Sequence, residues 1–356
     1  MTPRVVLVTG VRRDLAAQLA ARLCDAPGVE RVIGVDTAPP RPELFVGHAG
    51  SPEFVRADIR NPLIAKVLDR AAVDTVVHLG IGPAVPTPGG RAAAKETNVI
   101  GTMQLLAACQ RAAAVRTVVF KSTTAAYGSS PRNPAIFTED TEPWSGPRPG
   151  FARDAVEAEE YARGFARRRP DVAVRVLRCA EVIGPRLDTP LTTYFSLPAV
   201  PVLAGFDPRL QLLHEEDAVA ALRIATEAPG PAARGYQLYN VAGAGVLLLS
   251  QAIRRAGRVP VPLPGPALGW LRRAARRVGA VDFSADQLSF LPYGGCVDTA
   301  RAAGALGFRP RYSTADAFDD FVRGRNLASP LSPVTVERVE RALLDLAGAG
   351  ARARGK

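Results

Sequence analysis

Lys121 and Thr123 stand two residues apart at the end of an apolar run, Thr117 to Ser122, and a two-residue period places both side chains on one side of a strand. An ammonium beside a hydroxyl can hold and move the proton of a substrate oxygen; a solvent-facing or structural lysine is the plain alternative. Upstream, Thr9-Gly10 closes a first apolar strand where the backbone must turn sharply into a helix, and Asp36 follows 26 residues after Gly10, at the end of a second strand. A carboxylate there accepts hydrogen bonds from both hydroxyls of an adenosine ribose and repels a 2'-phosphate, which favours NAD over NADP; a simple turn residue is the alternative. Counting from Gly10, the second and third glycine positions of a dinucleotide turn are Arg13 and Ala16. Alanine still lets helix and sheet approach. Arg13 puts a side chain where backbone meets pyrophosphate, either bonding the phosphates itself or plugging the site.

These residues need a frame, and the apolar patterning supplies one. Val5 to Thr9 reads as a strand and Asp14 to Cys24 as a helix; Arg31 to Asp36, Glu53 to Ala57, Thr75 to Leu79 and Thr117 to Ser122 read as further strands. Helices over Pro62 to Arg70 and Arg91 to Ala112 separate them, so the strands pair in parallel through right-handed crossovers. A Pro/Gly/Ser-rich loop, Ser129 to Gly150, leads to a helix from about Phe151 and a buried strand at Val172 to Arg178. The expected fold is α/β, a Rossmann-type doubly wound parallel sheet over residues 1–185 with a smaller C-terminal lobe, interleaved with it, over 186–345 and a basic tail at 346–356.

Composition narrows the function. The 356 residues are 47% hydrophobic, no run of 18 apolar residues is present, and the chain enters its first strand without a signal peptide, so a cytoplasmic globular protein with no transmembrane segment is expected. Cys24, Cys109, Cys179 and Cys296 are scattered in apolar contexts and the three histidines are dispersed, so neither disulfides nor a metal site is expected. The net charge of +11 is carried almost wholly by arginine, which suits phosphate or carboxylate partners; a diffuse solvated surface explains it more simply than a nucleic-acid site. The basic segment Trp270 to Val278 reads as a solvated helix face, with a membrane-surface helix as the alternative.

In their joint order the segments VLVTG, VRADIRNP, DTVVHLG, NVIGTMQLLAAC, KSTTAAYGSSP, VLRCAEVIGP, LLHEEDAVAAL, YNVAG and VDTARAAGALGFRPRY resemble the extended short-chain dehydrogenase/reductase superfamily, in its NAD-dependent epimerase/dehydratase branch, and closely an actinobacterial UDP-glucose 4-epimerase-like subgroup. The resemblance spans nearly the whole chain. It implies an adenine contact at Asp58 and Ile59, cofactor contacts at Leu79, Gly80, Asn98 and Ser122, a catalytic hydroxyl at Thr123, and a nucleotide-sugar substrate. It also implies a tyrosine and a lysine four residues apart, where GFARDAVEAEEY carries Phe151 and Ala155; no tyrosine stands four residues before any lysine in the chain. Glu181 occupies an asparagine position that meets substrate, and the phosphate-binding arginine position is Leu210, with Arg209 one place out of register. A carboxylate near a diphosphate argues against an ordinary UDP-sugar.

Two functions follow. One is an NAD-binding enzyme of atypical chemistry, with Thr123 and Lys121 as candidate catalytic residues, Gly10, Arg13 and Asp36 on the cofactor, and Glu181 and Arg209 toward the substrate. The other is a noncatalytic NAD-sensing or partner-binding protein, its partner a protein or nucleic acid. The resemblance further implies a homodimer through the helices near Arg91 to Ala112 and Phe151 to Arg168.

Overall fold

In the computed structural model, the described residues are 4–48, 50–83, 89–143, 150–228, 234–264 and 293–327. Trp270 to Val278 and the tail 346–356 lie outside them. The central element is a seven-stranded sheet. It contains β1 (Val5–Thr9), β2 (Arg31–Asp36), β3 (Glu53–Arg56), β4 (Thr75–His78), β5 (Thr117–Thr123), β7 (Ala173–Cys179) and β12 (Gly235–Val241); the two-residue β6 (Ile136–Phe137) lies outside it. The spatial order is β12-β7-β5-β4-β1-β2-β3, and every neighbouring pair is parallel. The Rossmann-type doubly wound α/β fold expected from the alternation is therefore the fold observed. The sheet does not end with residue 185, because β12 adds a strand beside β7 from later in the chain.

Both faces of the sheet are covered, as near-continuous apolar strands require. One face packs Val6, Val8, Val119 and Leu177 under α1 (Asp14–Cys24) and α7 (Glu215–Glu227). The other packs Leu7, Val76, Val118 and Phe120 under α2 (Leu63–Arg70), α4 (Thr102–Arg111) and α5 (Gly150–Arg168). The expected helix Arg91 to Ala112 is built in three parts, α3 (Gly90–Lys95), a π-helical turn over Glu96–Gly101, and α4. A third core, formed by Ile183, Phe195, Leu212, Ile253 and Phe318 among others, belongs to the smaller lobe. Its elements include β8 (Glu181–Ile183), α6 (Pro190–Ser196), β9 (Ala199–Leu203), β10 (Arg209–Leu210) and β11 (Leu212–His214). Later in the chain come β13 (Leu247–Leu248), α8 (Leu249–Arg255), β14 (Val259–Leu263), β15 (Cys296–Val297) and α9 (Thr314–Gly324). No helix among the described residues is long and apolar enough to cross a membrane.

Candidate functional site

Strand order reverses between β1 and β4: β2 and β3 lie to one side, β5, β7 and β12 to the other. Ligands of open α/β sheets sit in the crevice at such a switch point, beyond the carboxyl ends of the strands. Gly10 follows β1 with φ +80°, and a Cβ there would meet the backbone of Leu79 and Gly80, after β4, at 3.3 Å. The two strand ends thus approach backbone to backbone, and a side chain at Gly10 would be crowded there and strained by the positive φ. Asp36 stands at the tip of the adjacent β2. Its Oδ2 accepts from the Arg12 amide at 3.0 Å and its Oδ1 from the Thr37 amide at 2.7 Å and the Thr37 hydroxyl at 3.3 Å, so the carboxylate is fixed while Oδ2 keeps a lone pair for a ligand.

Arg13 caps the start of α1 and reaches across this crevice. Its guanidinium lies flat against Gly82 in the loop after β4, where an added Cβ would be 2.2 Å from Nη1. Among the described residues the guanidinium has no hydrogen-bonded or ion-paired partner. It is reached by solvent, yet enclosure lowers its pKa, with the charge of Asp36 acting against that. Accessibility and enclosure coexist for a side chain in a narrow cleft, open above and walled by protein. This cation has a fixed seat and an open side.

The walls are braced from beneath. His78, fully enclosed, bridges Thr9 Oγ1 at 2.7 Å through Nδ1 and Thr102 Oγ1 at 2.9 Å through Nε2, tying β1, β4 and α4 together. Burial, helped by the charge of Arg13, pushes its pKa down to about 3, so the ring is neutral. Ile59 packs beneath Gly80 and Gly101; a Cβ on Gly101 would lie 2.7 Å from its Cδ1. Leu79 is buried, its amide donating to Thr9 Oγ1 at 3.3 Å. Asp58, the expected adenine contact, has both oxygens bonded by Arg60, the shortest bond being 2.6 Å, and those bonds hold its pKa low.

Asn98 lies in the π-helical turn and points inward. It accepts from the Gly82 amide at 3.1 Å, donates to the Gly82 carbonyl at 2.9 Å, and donates to Asp154 Oδ2 at 3.0 Å. Asp154 is completely buried on α5 and paired in bidentate fashion with Arg91, at 2.8 and 2.6 Å. The seat of Arg13 is therefore held by a chain running Gly82, Asn98, Asp154, Arg91. Sequence reasoning found Asn98 but missed Asp154, Arg91 and Gly82. An acid inside the apolar stripe of α5 was the available signal, since a buried carboxylate needs a partner.

At the other end of the crevice, β5 and β7 pair Thr123 with Cys179 and Lys121 with Leu177. Thr123 Oγ1 accepts from the Ala125 amide at 3.2 Å. Ser122 faces the opposite way, donating to Glu159 at 2.5 Å; Glu159 in turn holds Arg178 at 2.6 Å, and Arg178 lies 4.5 Å above the Tyr127 ring. Burial works against the Arg178 charge, but the bonds and charge of Glu159 outweigh it and raise its pKa. Ser122 thus belongs to a structural network toward α5. Phe151 is half-buried and Ala155 is fully buried against the sheet side of α5.

Glu181 opens β8 and, like Arg13, is reached by solvent while enclosure raises its pKa, the charge of Lys121 opposing. Leu210 is buried in the lobe core, whereas Arg209 on the same short strand is exposed. The structure thus brings Gly10, Arg13, Asp36, Leu79, Gly80 and Asn98 together around one crevice, with Lys121, Thr123 and Glu181 at its far end. Several arginines are engaged elsewhere, in ion pairs such as Arg4 with Glu30, Arg31 with Glu53 and Arg255 with Asp319.

Comparison with known proteins agrees with this architecture. Uncharacterized proteins of Mycobacterium tuberculosis and Mycobacterium bovis are each 48% identical over 348 residues, covering 97% of this chain and 90% of theirs. The UDP-glucose 4-epimerase of Thermotoga maritima, solved with UDP-glucose, superposes with a TM-score of 0.70 at 20% identity, covering 90% of this chain and 98% of that one. The dTDP-glucose 4,6-dehydratase DesIV of Streptomyces venezuelae, solved with NAD, gives 0.66 at 22% identity, covering 91% and 97%. Residues 6–242 match the model of the NAD dependent epimerase/dehydratase family, and with the glycine turn, the acid of β2 and the switch-point crevice in place, the chain belongs to that family.

Proposed function

We propose that the protein binds NAD in the switch-point crevice and acts on a nucleotide-sugar-like ligand by an atypical acid–base route. The observation that carries this reading is the pairing of a fixed carboxylate, Asp36, with the unpartnered guanidinium of Arg13 across the Gly10 turn. A dinucleotide offers ribose hydroxyls to the first and a pyrophosphate to the second, and the head of α1 adds its dipole to the same end. These residues fit the cofactor. Leu79, Gly80 and Asn98 line or brace the wall beside it, with Ile59 beneath and Asp58 at the adenine end.

When bound, NAD supplies a hydride acceptor and donor. The chain must supply the proton handling, and α5 carries no phenol and no ammonium at Phe151 and Ala155. Thr123 holds the reacting oxygen by its hydroxyl, and Lys121 places positive charge near it. Arg209, one residue from the buried Leu210, is the cation available to the substrate's phosphate. Assembly as a homodimer through α4 and α5 and a cytoplasmic location belong to the same reading. Ala155, fully buried and unable to move a proton, favours a second reading, an NAD-sensing protein without turnover.

Calorimetric titration with NAD and NADP tests the cofactor assignment. Asp36→Ala should weaken NAD by about 10- to 100-fold, the worth of hydrogen bonds to a charged acceptor, while leaving NADP unchanged or tighter. Equal weakening of both dinucleotides would remove Asp36 from the ribose.

A further inference from the structure

The far end of the crevice holds an acid where the family resemblance expects an asparagine. Along the run Cys179 to Ile183, Glu181 alone is open to solvent; its neighbours on both sides are buried. It lies two residues beyond Cys179, the register partner of Thr123, and Lys121 sits two residues before Thr123 on the same strand. The charge of Lys121 reaches both Cys179 and Glu181. Among the described residues neither Lys121 nor Glu181 makes an ion pair or side-chain hydrogen bond. From β11 the register partner of Glu181 is Leu212, which is apolar, so Lys121 is the charge that opposes the effect of enclosure.

Three unengaged functions therefore lie on one face at the ends of adjoining strands: the Thr123 hydroxyl, whose oxygen accepts from the Ala125 amide; the Lys121 ammonium; and the Glu181 carboxylate. Two are donors toward an oxygen, and the third is an acceptor for that oxygen's proton. We propose that Glu181 is the proton-accepting group of this cleft, taking the hydroxyl proton of a bound secondary alcohol whose oxygen is held by Thr123 and Lys121. The O–H bond breaks toward the carboxylate and its electron pair forms the carbonyl; NAD held in the crevice would supply the acceptor for the hydrogen that leaves the same carbon with its pair, and the reverse step would return both. The inference rests on the dinucleotide reading. Enclosure raises the Glu181 pKa, the direction that suits a general base.

The test uses the full-length protein with NAD added, its glutamates isotope-labelled at the side-chain carboxyl, in wild type, Glu181→Gln and Lys121→Met. The resonance lost in Glu181→Gln should titrate above the solvated glutamates, and Lys121→Met should move it further up, because the charge of Lys121 opposes the effect of enclosure. An ordinary titration, or one indifferent to Lys121→Met, overturns the assignment. On the same samples, reduction of NAD is followed with a panel of UDP- and dTDP-hexoses. Wild type should reduce NAD along the alkaline limb of that titration, and Glu181→Gln should lose about 100-fold or more while still binding NAD. Retained reduction in Glu181→Gln, or none in wild type across the panel, overturns it equally. Absence of NAD binding in every variant sinks the dinucleotide reading itself, whereas NAD binding with an ordinary Glu181 titration sinks this inference alone.

Discussion

His78 shows how one side chain can brace a site without entering it. Both ring nitrogens are used, by Thr9 and Thr102, and the ring is held neutral by burial. Its folded pKa of about 3 lies below the ordinary 6.5, so on acidification the unfolded chain takes the proton first. The stabilisation is complete above the ordinary value and is lost as pH falls toward the folded one. Between neutral pH and about pH 4, wild type should lose on the order of 2–3 kcal/mol more stability than His78→Gln, read from denaturant midpoints at each pH. Parallel curves would show that the ring can charge in place. Nothing in the sequence marked this role, since the partners of His78 stand 69 and 24 residues away. Asp36 was legible because one strand and one glycine turn suffice to place it.

Helix α5 explains why placing a lysine at position 155, where the family resemblance expects one, is not a simple change. Ala152, Ala155, Ala158 and Ala162 form its buried stripe, small enough to bring the helix close to the sheet. An ammonium at position 155 would be buried with overpacking, so Ala155→Lys should cost about 3 kcal/mol or more, whereas Phe151→Tyr at a half-buried position should cost less than about 1 kcal/mol. A thermal melt of Ala155→Lys matching wild type would show that α5 leaves room for the side chain. Element positions were largely readable: β1, α1 and β2 have the bounds that periodicity assigns. The π-helical turn at Glu96–Gly101 was not, because an apolar period cannot register one extra residue in a turn, and that turn directs Asn98 to Gly82.

At the scale of the molecule, the crevice exists because the sheet reverses order between β1 and β4, and the sheet itself is completed by chain drawn from beyond residue 185, β12 at its edge and α7 on one face. Alternating strands and helices announced the sheet, but strand order depends on pairings across the chain that no local pattern carries. The same holds for Arg13: sequence placed it at the phosphate position and left open whether it binds or blocks. The structure adds that its guanidinium is unpartnered and seated on Gly82. The most direct measurement is a titration of NAD into wild type and Arg13→Ala side by side. If Arg13 is the pyrophosphate ligand, wild type binds NAD and Arg13→Ala binds it about 10- to 100-fold more weakly, with a shallower salt dependence. Wild type failing to bind while Arg13→Ala binds would mean that the arginine closes the crevice, and the account of an NAD-binding protein would be contradicted.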